Sequence, residues 1–310
     1  MRALVTGGNG FVGRHLVAAL QARGDFVLSA GRASDPGELD LPLDLADLSN
    51  LRAVVEIAQP DTIFHLAAQA FVPDANRDPL GTYATNALGT ARLFEAARTL
   101  AVAPRILVVS SAEVYGVRAR SEYPLAETLA TSPVTPYAAS KAAAEAFAFA
   151  AYHTYGIPAI VTRSFNHIGP GQDARFVVPS FARQLAEIAA GAEPILHVGN
   201  LKALRDFLDV RDVVAAYIAL AERGIAGRCY NVCSGSPVEI EGILRRLIAI
   251  AHLPVEVRED PARMRPSDVP LSYGDNTRLR AATGWAPRLS LPESLRDVYA
   301  DAQARLAPAR

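Results

Sequence analysis

A doubly wound parallel α/β sheet with a smaller C-terminal lobe is the fold class that this 310-residue sequence predicts. Three observations carry that prediction. Apolar, β-branched runs alternate with helical patterns along the first half of the chain. The runs are continuously apolar, as strands covered on both faces are, rather than alternating. A glycine trio, Gly7, Gly10 and Gly13, stands between the first run and the first helical pattern.

Taken in order, Arg2–Thr6 reads as a strand and Gly10–Arg23 as an amphipathic helix. Phe26–Ala30 is the second strand, and Asp44-Leu45 follows the third. A helix is expected near Leu48–Ala58, the fourth strand over Asp61–Leu66 and a helix near Leu80–Leu100. Arg105–Ser110, a helix over Ala138–Tyr155 and Ala159–Arg163 complete this half. The second half is richer in proline, with helices near Val178–Ala190, Val213–Ala221 and Ile240–Ala251 between short strands. The organisation predicted is a first domain over 1–165, rejoined by strands from about 197–235, and a lobe over 166–310. That lobe is expected to close over the C-terminal edge of the sheet, where ligands of open α/β sheets bind.

Composition narrows the classes. Half of the residues are hydrophobic, enough for a sizeable core, and the net charge of −1 gives no general attraction to nucleic acid or acidic membranes. No apolar run reaches membrane-spanning length, and Met1–Val5 reads as the entry to the fold rather than a leader, so a cytoplasmic protein is expected. Cys229 and Cys233, four residues apart on a strand, would be roughly 13 Å from each other, too far to bridge. They read as reduced, packed thiols, and no metal-ligand cluster accompanies them. From Ala142 to Tyr152 the helix is apolar nearly all round, with Glu145 its sole charge. A deep core helix and a subunit interface both fit, and the interface is preferred.

The glycine loop suits a dinucleotide. Gly7 and Gly10 permit a tight turn and close approach of phosphate, Gly13 lets helix pack on strand, and Phe11 and Val12 open the helix whose N–H groups face a pyrophosphate. After the second strand, where a carboxylate would hold a ribose 2′-hydroxyl, the chain has Arg32. A guanidinium suits a 2′-phosphate, so NADP is expected over NAD, unless Arg32 is merely solvated. Asp44 and Leu45 are candidates for the adenine edge, and the run Leu66-Ala67-Ala68 for close backbone approach.

Tyr137 and Lys141 lie i and i+4 on one helical face. A tyrosine that titrates near 10 needs help to exchange a proton at neutrality, and a nearby ammonium has the right sign to lower it. Ser111, at the end of the fifth strand, can bond the substrate oxygen. Glu113 reads equally as a general acid or base and as a structural acceptor.

With these residues assembled, the chain resembles the extended short-chain dehydrogenase/reductase family of nucleotide-sugar enzymes, with its Rossmann-type sheet, over nearly its whole length. The likeness rests on the Thr6–Gly13 loop, His65–Ala68, Asn86, Ser111, Tyr137 with Lys141, and Arg163–Asn166. Phe165–Gln172, Gly199–Phe207, Tyr230–Gly235 and Arg265–Pro270 look like the GDP-sugar branch, and more like its 4-keto reductases than its dehydratases. The dehydratases usually have Thr where Ser111 stands, and they carry an Arg-Arg run where this chain has Gly169-Pro170-Gly171.

The resemblance implies a catalytic triad of Ser111, Tyr137 and Lys141, with Lys141 also on the nicotinamide ribose and Asn86 supporting the network. It implies substrate contacts from Asn166, Val178, Arg205 and Arg265, the two arginines clamping a diphosphate; ion pairing of Arg205 with Asp206 or Asp209 is the other reading. The reaction implied is NAD(P)H-dependent reduction of the C4 keto group of GDP-4-dehydro-6-deoxy-D-mannose to GDP-D-rhamnose. An NAD-dependent nucleotide-sugar 4-epimerase is the alternative. A homodimer through the helices near 80–100 and 138–155 is expected, with no nucleic acid, membrane or metal partner.

Overall fold

The computed structural model describes residues 1–32, 40–264 and 269–306. In chain order its elements begin β1 (Arg2–Thr6), α1 (Phe11–Ala22), β2 (Phe26–Gly31), β3 (Leu41–Pro42), α2 (Leu48–Ala58), β4 (Thr62–His65), α3 (Val72–Arg77), α4 (Pro79–Thr82), α5 (Gly89–Ala97), β5 (Arg105–Ser111), α6 (Pro136–Tyr155) and β6 (Ala159–Ser164). They continue β7 (Asn166–Ile168), α7 (Val177–Ala189), β8 (Ile195–Val198), β9 (Leu204–Asp209), α8 (Val210–Arg223), β10 (Arg228–Val232), β11 (Pro237–Glu239), α9 (Ile240–Ala251), β12 (Glu256–Glu259), β13 (Leu271–Ser272), α10 (Thr277–Thr283) and α11 (Leu291–Leu306).

The chain forms two compact units. The first comprises 1–164, 214–232 and 275–285. Its seven-stranded sheet runs in the order β10-β6-β5-β4-β1-β2-β3, parallel throughout. Strand order reverses between β1 and β4, so the chain leaves those two neighbours in opposite lateral directions and opens a crevice beyond their C-terminal ends. The core under this sheet is continuous, including Leu4, Leu51, Val55, Ile63, Leu93 and Ile106, none of them accessible. Of the stretch 197–235, only β10 joins the sheet, pairing with β6; β8 and β9 pair elsewhere.

Local signals account for the helix ends. Asp47 caps α2 by accepting from the Ser49 and Asn50 amides. Thr135 caps α6 through the Ala138 amide, Pro136 stands in its first turn, and Gly156 closes it with φ 70°. The helix predicted near Leu80–Leu100 differs in detail. It follows two short helices, α3 and α4, passes through a π turn at Tyr83–Leu88 and ends at Ala97. A π turn adds one residue to a helical circuit, a local widening that no residue type in Tyr83–Leu88 marks.

The second unit comprises 165–213, 233–274 and 286–310. In it β9 is central, with β7 and β13 parallel and β11 antiparallel to it, while β8 pairs with β12. Helices α7, α9 and α11 pack together, α9 contributing Ile240, Ile243, Leu244 and Leu247 at helical spacing. Both cysteines are free and buried. Among the described residues no helix is long and apolar enough to cross a membrane, and no cluster of potential metal ligands occurs.

Leu107, inaccessible on β5 between Phe64 of β4 and Ile160 of β6, is a direct test of this core. Leu107→Ala is expected to lower stability by about 2–5 kcal/mol, read as a lower urea midpoint at unchanged slope.

Candidate active site

The glycine loop leaves β1 at the order reversal. Gly7 has φ +73°, and a Cβ there would lie 2.8 Å from the Ala67 amide nitrogen. A Cβ on Gly13 would lie 2.1 Å from the Gly7 carbonyl oxygen, so helix and loop touch backbone to backbone. Gly10 caps α1 without a side chain, and the first turn, opened by Phe11 and Val12, holds no acidic residue. A close, uncapped, positively poled helix start fits a dinucleotide pyrophosphate. Leu66, Ala67 and Ala68 follow β4, the Leu66 amide bonding the Thr6 carbonyl. Arg32 follows β2 and is exposed. Asp44 is also exposed, its carboxylate accepting from the Ala46 amide, whereas the Leu45 side chain is buried against Gly89.

A chain of hydrogen bonds ties this loop to α6. The Ala67 amide donates to Thr6 Oγ1, which contacts His65 Nδ1 at 2.8 Å. His65 Nε2 contacts Thr90 Oγ1 at 3.0 Å, and that hydroxyl donates to the Asn86 carbonyl at 2.6 Å. Since Thr90 spends its proton on Asn86, it accepts from Nε2–H. Burial, followed by the nearby Lys141 charge, lowers His65 to about 3, and the neutral ring so favoured accepts at Nδ1 from Thr6. Asn86, in the π turn, exchanges bonds with the Gln69 backbone and donates to Ser140 Oγ, which lies between Tyr137 and Lys141 on α6.

The Ser111 side chain lies near enough to the Tyr137 phenol to hold its pKa down. Ser111 Oγ accepts from the Glu113 amide at 3.2 Å, and Thr135 Oγ1 lies 3.5 Å from Glu113 Oε2. Lys141 Nζ donates to the Val109 carbonyl at 2.8 Å. The electrostatics differ from the sequence expectation in one respect. Lys141 is not what sets the phenol: burial and the Glu113 charge push Tyr137 above its ordinary value, opposed by the Ser111 side chain. Burial instead lowers Lys141 to about 8, with Glu145 acting against it.

Of the predicted substrate residues, Asn166, Val178 and Arg205 belong to the second unit, and Ser111 and Glu113 to the first. Asn166 is exposed at the start of β7. Val178 is 1% exposed and packs in that unit's apolar core, so its side chain offers no ligand surface and only its backbone could do so. Arg205 lies on β9, half-buried, and donates to the Leu204 carbonyl. The neighbouring carboxylates have other partners: Asp206 accepts from Ser234, Gly235 and Gly274, and Asp209 from Arg211 and Ser294. Arg265 lies outside the described residues.

Sequence reasoning assigned no role to Thr6, His65, Thr90, Ser140 or Arg163. The quoted motif around His65 was the available signal; Thr90 and Ser140 are unremarkable helix residues whose partners come from distant elements.

Residues 4–298 match the family described as GDP-mannose 4,6 dehydratase. The chain is 40% identical over 310 residues to a GDP-6-deoxy-D-mannose reductase of Pseudomonas aeruginosa, covering 98% of each. It superposes with a TM-score of 0.89 on the structure of RMD from Pseudomonas aeruginosa complexed with NADPH, at 38% identity and covering 99% of this chain and 100% of that one. A UDP-glucose 4-epimerase of Thermus thermophilus in complex with NAD also gives 0.89, at 29% identity, 99% and 100% covered.

The His65 arrangement predicts a pH dependence. Folded, the imidazole stays neutral down to about 3; unfolded, it charges near 6.5, so the unfolded chain binds the extra proton in between. The stability that His65 confers is complete above that window and declines as pH falls through it. Compared by urea unfolding, the advantage of the parent over His65→Gln is expected to shrink from pH 7 towards pH 4, by about 1.4 kcal/mol per unit at most; a constant difference would contradict the neutral assignment.

Proposed function

We propose, from the premise that this chain belongs to the GDP-mannose 4,6-dehydratase family, that it reduces the C4 keto group of GDP-4-dehydro-6-deoxy-D-mannose with NADPH to give GDP-D-rhamnose. The observation that carries this reading is the alignment of Tyr137, beside Ser111, with Lys141 one turn further along α6. The reductase relative, similar over nearly the whole of both chains, supports the substrate.

NADPH, when bound, supplies the hydride for C4. Gly7, Gly10, Phe11 and Val12 would hold its pyrophosphate, Arg32 its 2′-phosphate, and Lys141 its nicotinamide ribose. Asp44, Leu45 and the run Leu66–Ala68 would line the remainder, with Asn86 holding the network together. Ser111 would orient the C4 oxygen by hydrogen bonding, and Tyr137 would deliver the proton to it. A phenol whose pKa is raised keeps its proton at neutral pH, which suits a donor in reduction. Glu113 raises that pKa further and so favours the protonated donor. Asn166, the Val178 backbone and Arg205 of the second unit, with Arg265, are assigned to the GDP-sugar, the guanidinium groups to its diphosphate. The 4-epimerase alternative draws less support, since epimerase relatives are more distant in sequence.

A homodimer in the cytoplasm belongs to the same proposal. Leu80 (77% exposed), Leu88 (47%) and Phe147 (37%) lie outward on the helices expected to pair, and a second copy would cover them. The sheet side of α6, by contrast, is buried through Ala144, Glu145, Ala148 and Ala151.

The reaction is tested by supplying GDP- and UDP-linked 4-keto sugars with NADPH, following its absorbance and identifying the product by NMR. Tyr137→Phe is expected to lower kcat by about 10²–10⁴-fold with nearly unchanged NADPH binding. Near-normal turnover in that variant would remove the assignment. Arg32→Ala is expected to raise the KM for NADPH about tenfold, the worth of one charge-assisted contact, and to leave that for NADH within about twofold.

A further inference from the structure

The face of α6 that carries Tyr137 and Lys141 continues to Glu145, one turn further on. These residues meet consecutive positions at the end of β5. Tyr137 lies beside Ser111, Lys141 Nζ donates to the Val109 carbonyl at 2.8 Å, and Ser110 Oγ donates to Glu145 Oε1 at 2.6 Å. Glu145 is 3% exposed and Arg163 is 5% exposed. Arg163, on β6, grips the same carboxylate from its Nε at 3.1 and 3.2 Å and from its Nη2 at 2.8 Å. Its guanidinium lies 4.8 Å from the centre of the Tyr115 ring. Tyr115 donates in turn to Asn231 of β10 at 2.7 Å. The carboxylate is therefore fixed from two strands, and the helix cannot rotate or slide without breaking that grip.

We propose that Glu145, clamped by Arg163, is the positioning residue of the proton-transfer centre: it seats α6 on the end of β5 so that Tyr137 meets Ser111 and Lys141 meets the Val109 carbonyl. The charge of Glu145 acts on the same centre. Lys141 is buried, with neutral His65 of β4 on one side and the Val109 carbonyl of β5 on another, and Glu145 is the anion that opposes its loss of a proton. Arg163 and the buried Cys229 thiol of β10 are the titratable groups facing Glu145 from the other strands, and both Glu113 and Tyr217 bear on Tyr137. Placement of this kind matters because a misplacement of about 1 Å can cost on the order of a hundredfold in rate.

The rate arm of the test rests on the proposed reduction; a second arm does not. The chain has two lysines, Lys141 and Lys202, and Lys202 is exposed. Carbon-13 labelling of lysine in the full-length protein therefore resolves the Lys141 titration by NMR with neither substrate nor cofactor present. In Glu145→Gln, Lys141 is expected to titrate below its parent value of about 8, and kcat is expected to fall about tenfold or more with the KM for the sugar within about twofold. Ser110→Ala keeps the ion pair and removes only the bond from Glu145 to β5. It is the arm that remains if Glu145→Gln fails to fold, and it is expected to lower kcat about threefold or more while leaving the Lys141 titration in place. An unmoved Lys141 titration in folded Glu145→Gln, or a parental kcat in Ser110→Ala, would overturn the proposal. If the parent protein reduces no 4-keto sugar, the substrate reading fails, and the lysine titration alone decides the role of Glu145.

Discussion

At the order reversal of the sheet, main chain meets main chain with no room for one further carbon. Gly7 faces the Ala67 amide, and Gly13 faces the Gly7 carbonyl. Everything at this edge inherits that constraint. Because β1 and β4 are neighbours in exact register, Thr6 beside His65, the two connections that follow them emerge side by side. Two backbones this close bond inward, the Gly7 amide to the Ala30 carbonyl and the Leu66 amide to the Thr6 carbonyl, and the helix beginning there has no side-chain cap, so the positive end of its dipole is left unneutralised. An anion is the natural complement. The apolar strands thus do more than supply a core: their parallel stacking fixes where an uncapped helix N-terminus opens.

Polar order radiates from this point through the interior of the first unit. The path from Ala67 through Thr6, His65 and Thr90 to Asn86 has only one consistent direction of donation. Such a path is intolerant of an added proton, and burial keeps the imidazole neutral. It ends on Ser140, on the same helix as Tyr137 and Lys141. Loop and helix are therefore coupled by hydrogen bonds whose geometry is far narrower than that of apolar packing. The π turn at Tyr83–Leu88 has a physical role here, since it sets the position of Asn86 between the Gln69 backbone and α6.

Much of this was legible in the residues. Continuous apolar strands, the glycine trio and the Tyr137–Lys141 spacing follow local rules, and local rules survive folding. The α9 boundaries, Ile240–Ala251, come directly from its apolar period. What could not be read depends on partners remote in sequence. Glu145 looked like a lone charge in an apolar helix because its counter-charge, Arg163, is on a strand and hidden between residues that read as core. Lys141 was expected to act on the phenol, but its ammonium donates to the Val109 carbonyl of β5, a partner remote in sequence. Val178 carries no mark that separates a ligand contact from a core contact; only packing in the second unit does so.

The order in which strands enter the sheet has a consequence for biosynthesis. Strand β6 is complete once Ser164 has been made, yet its outer neighbour, β10, begins only at Arg228. During translation the nascent sheet therefore ends in a bare strand, Ala159–Ser164, buried along its whole length in the finished fold, with the amides and carbonyls of its outer edge unpaired. The intervening chain belongs largely to the other unit and cannot shield it by pairing. A ribosome pausing within that interval would hold a sticky rim open, so the speed of elongation through residues 165–227, rather than the stability of the finished enzyme, becomes the factor that governs aggregation.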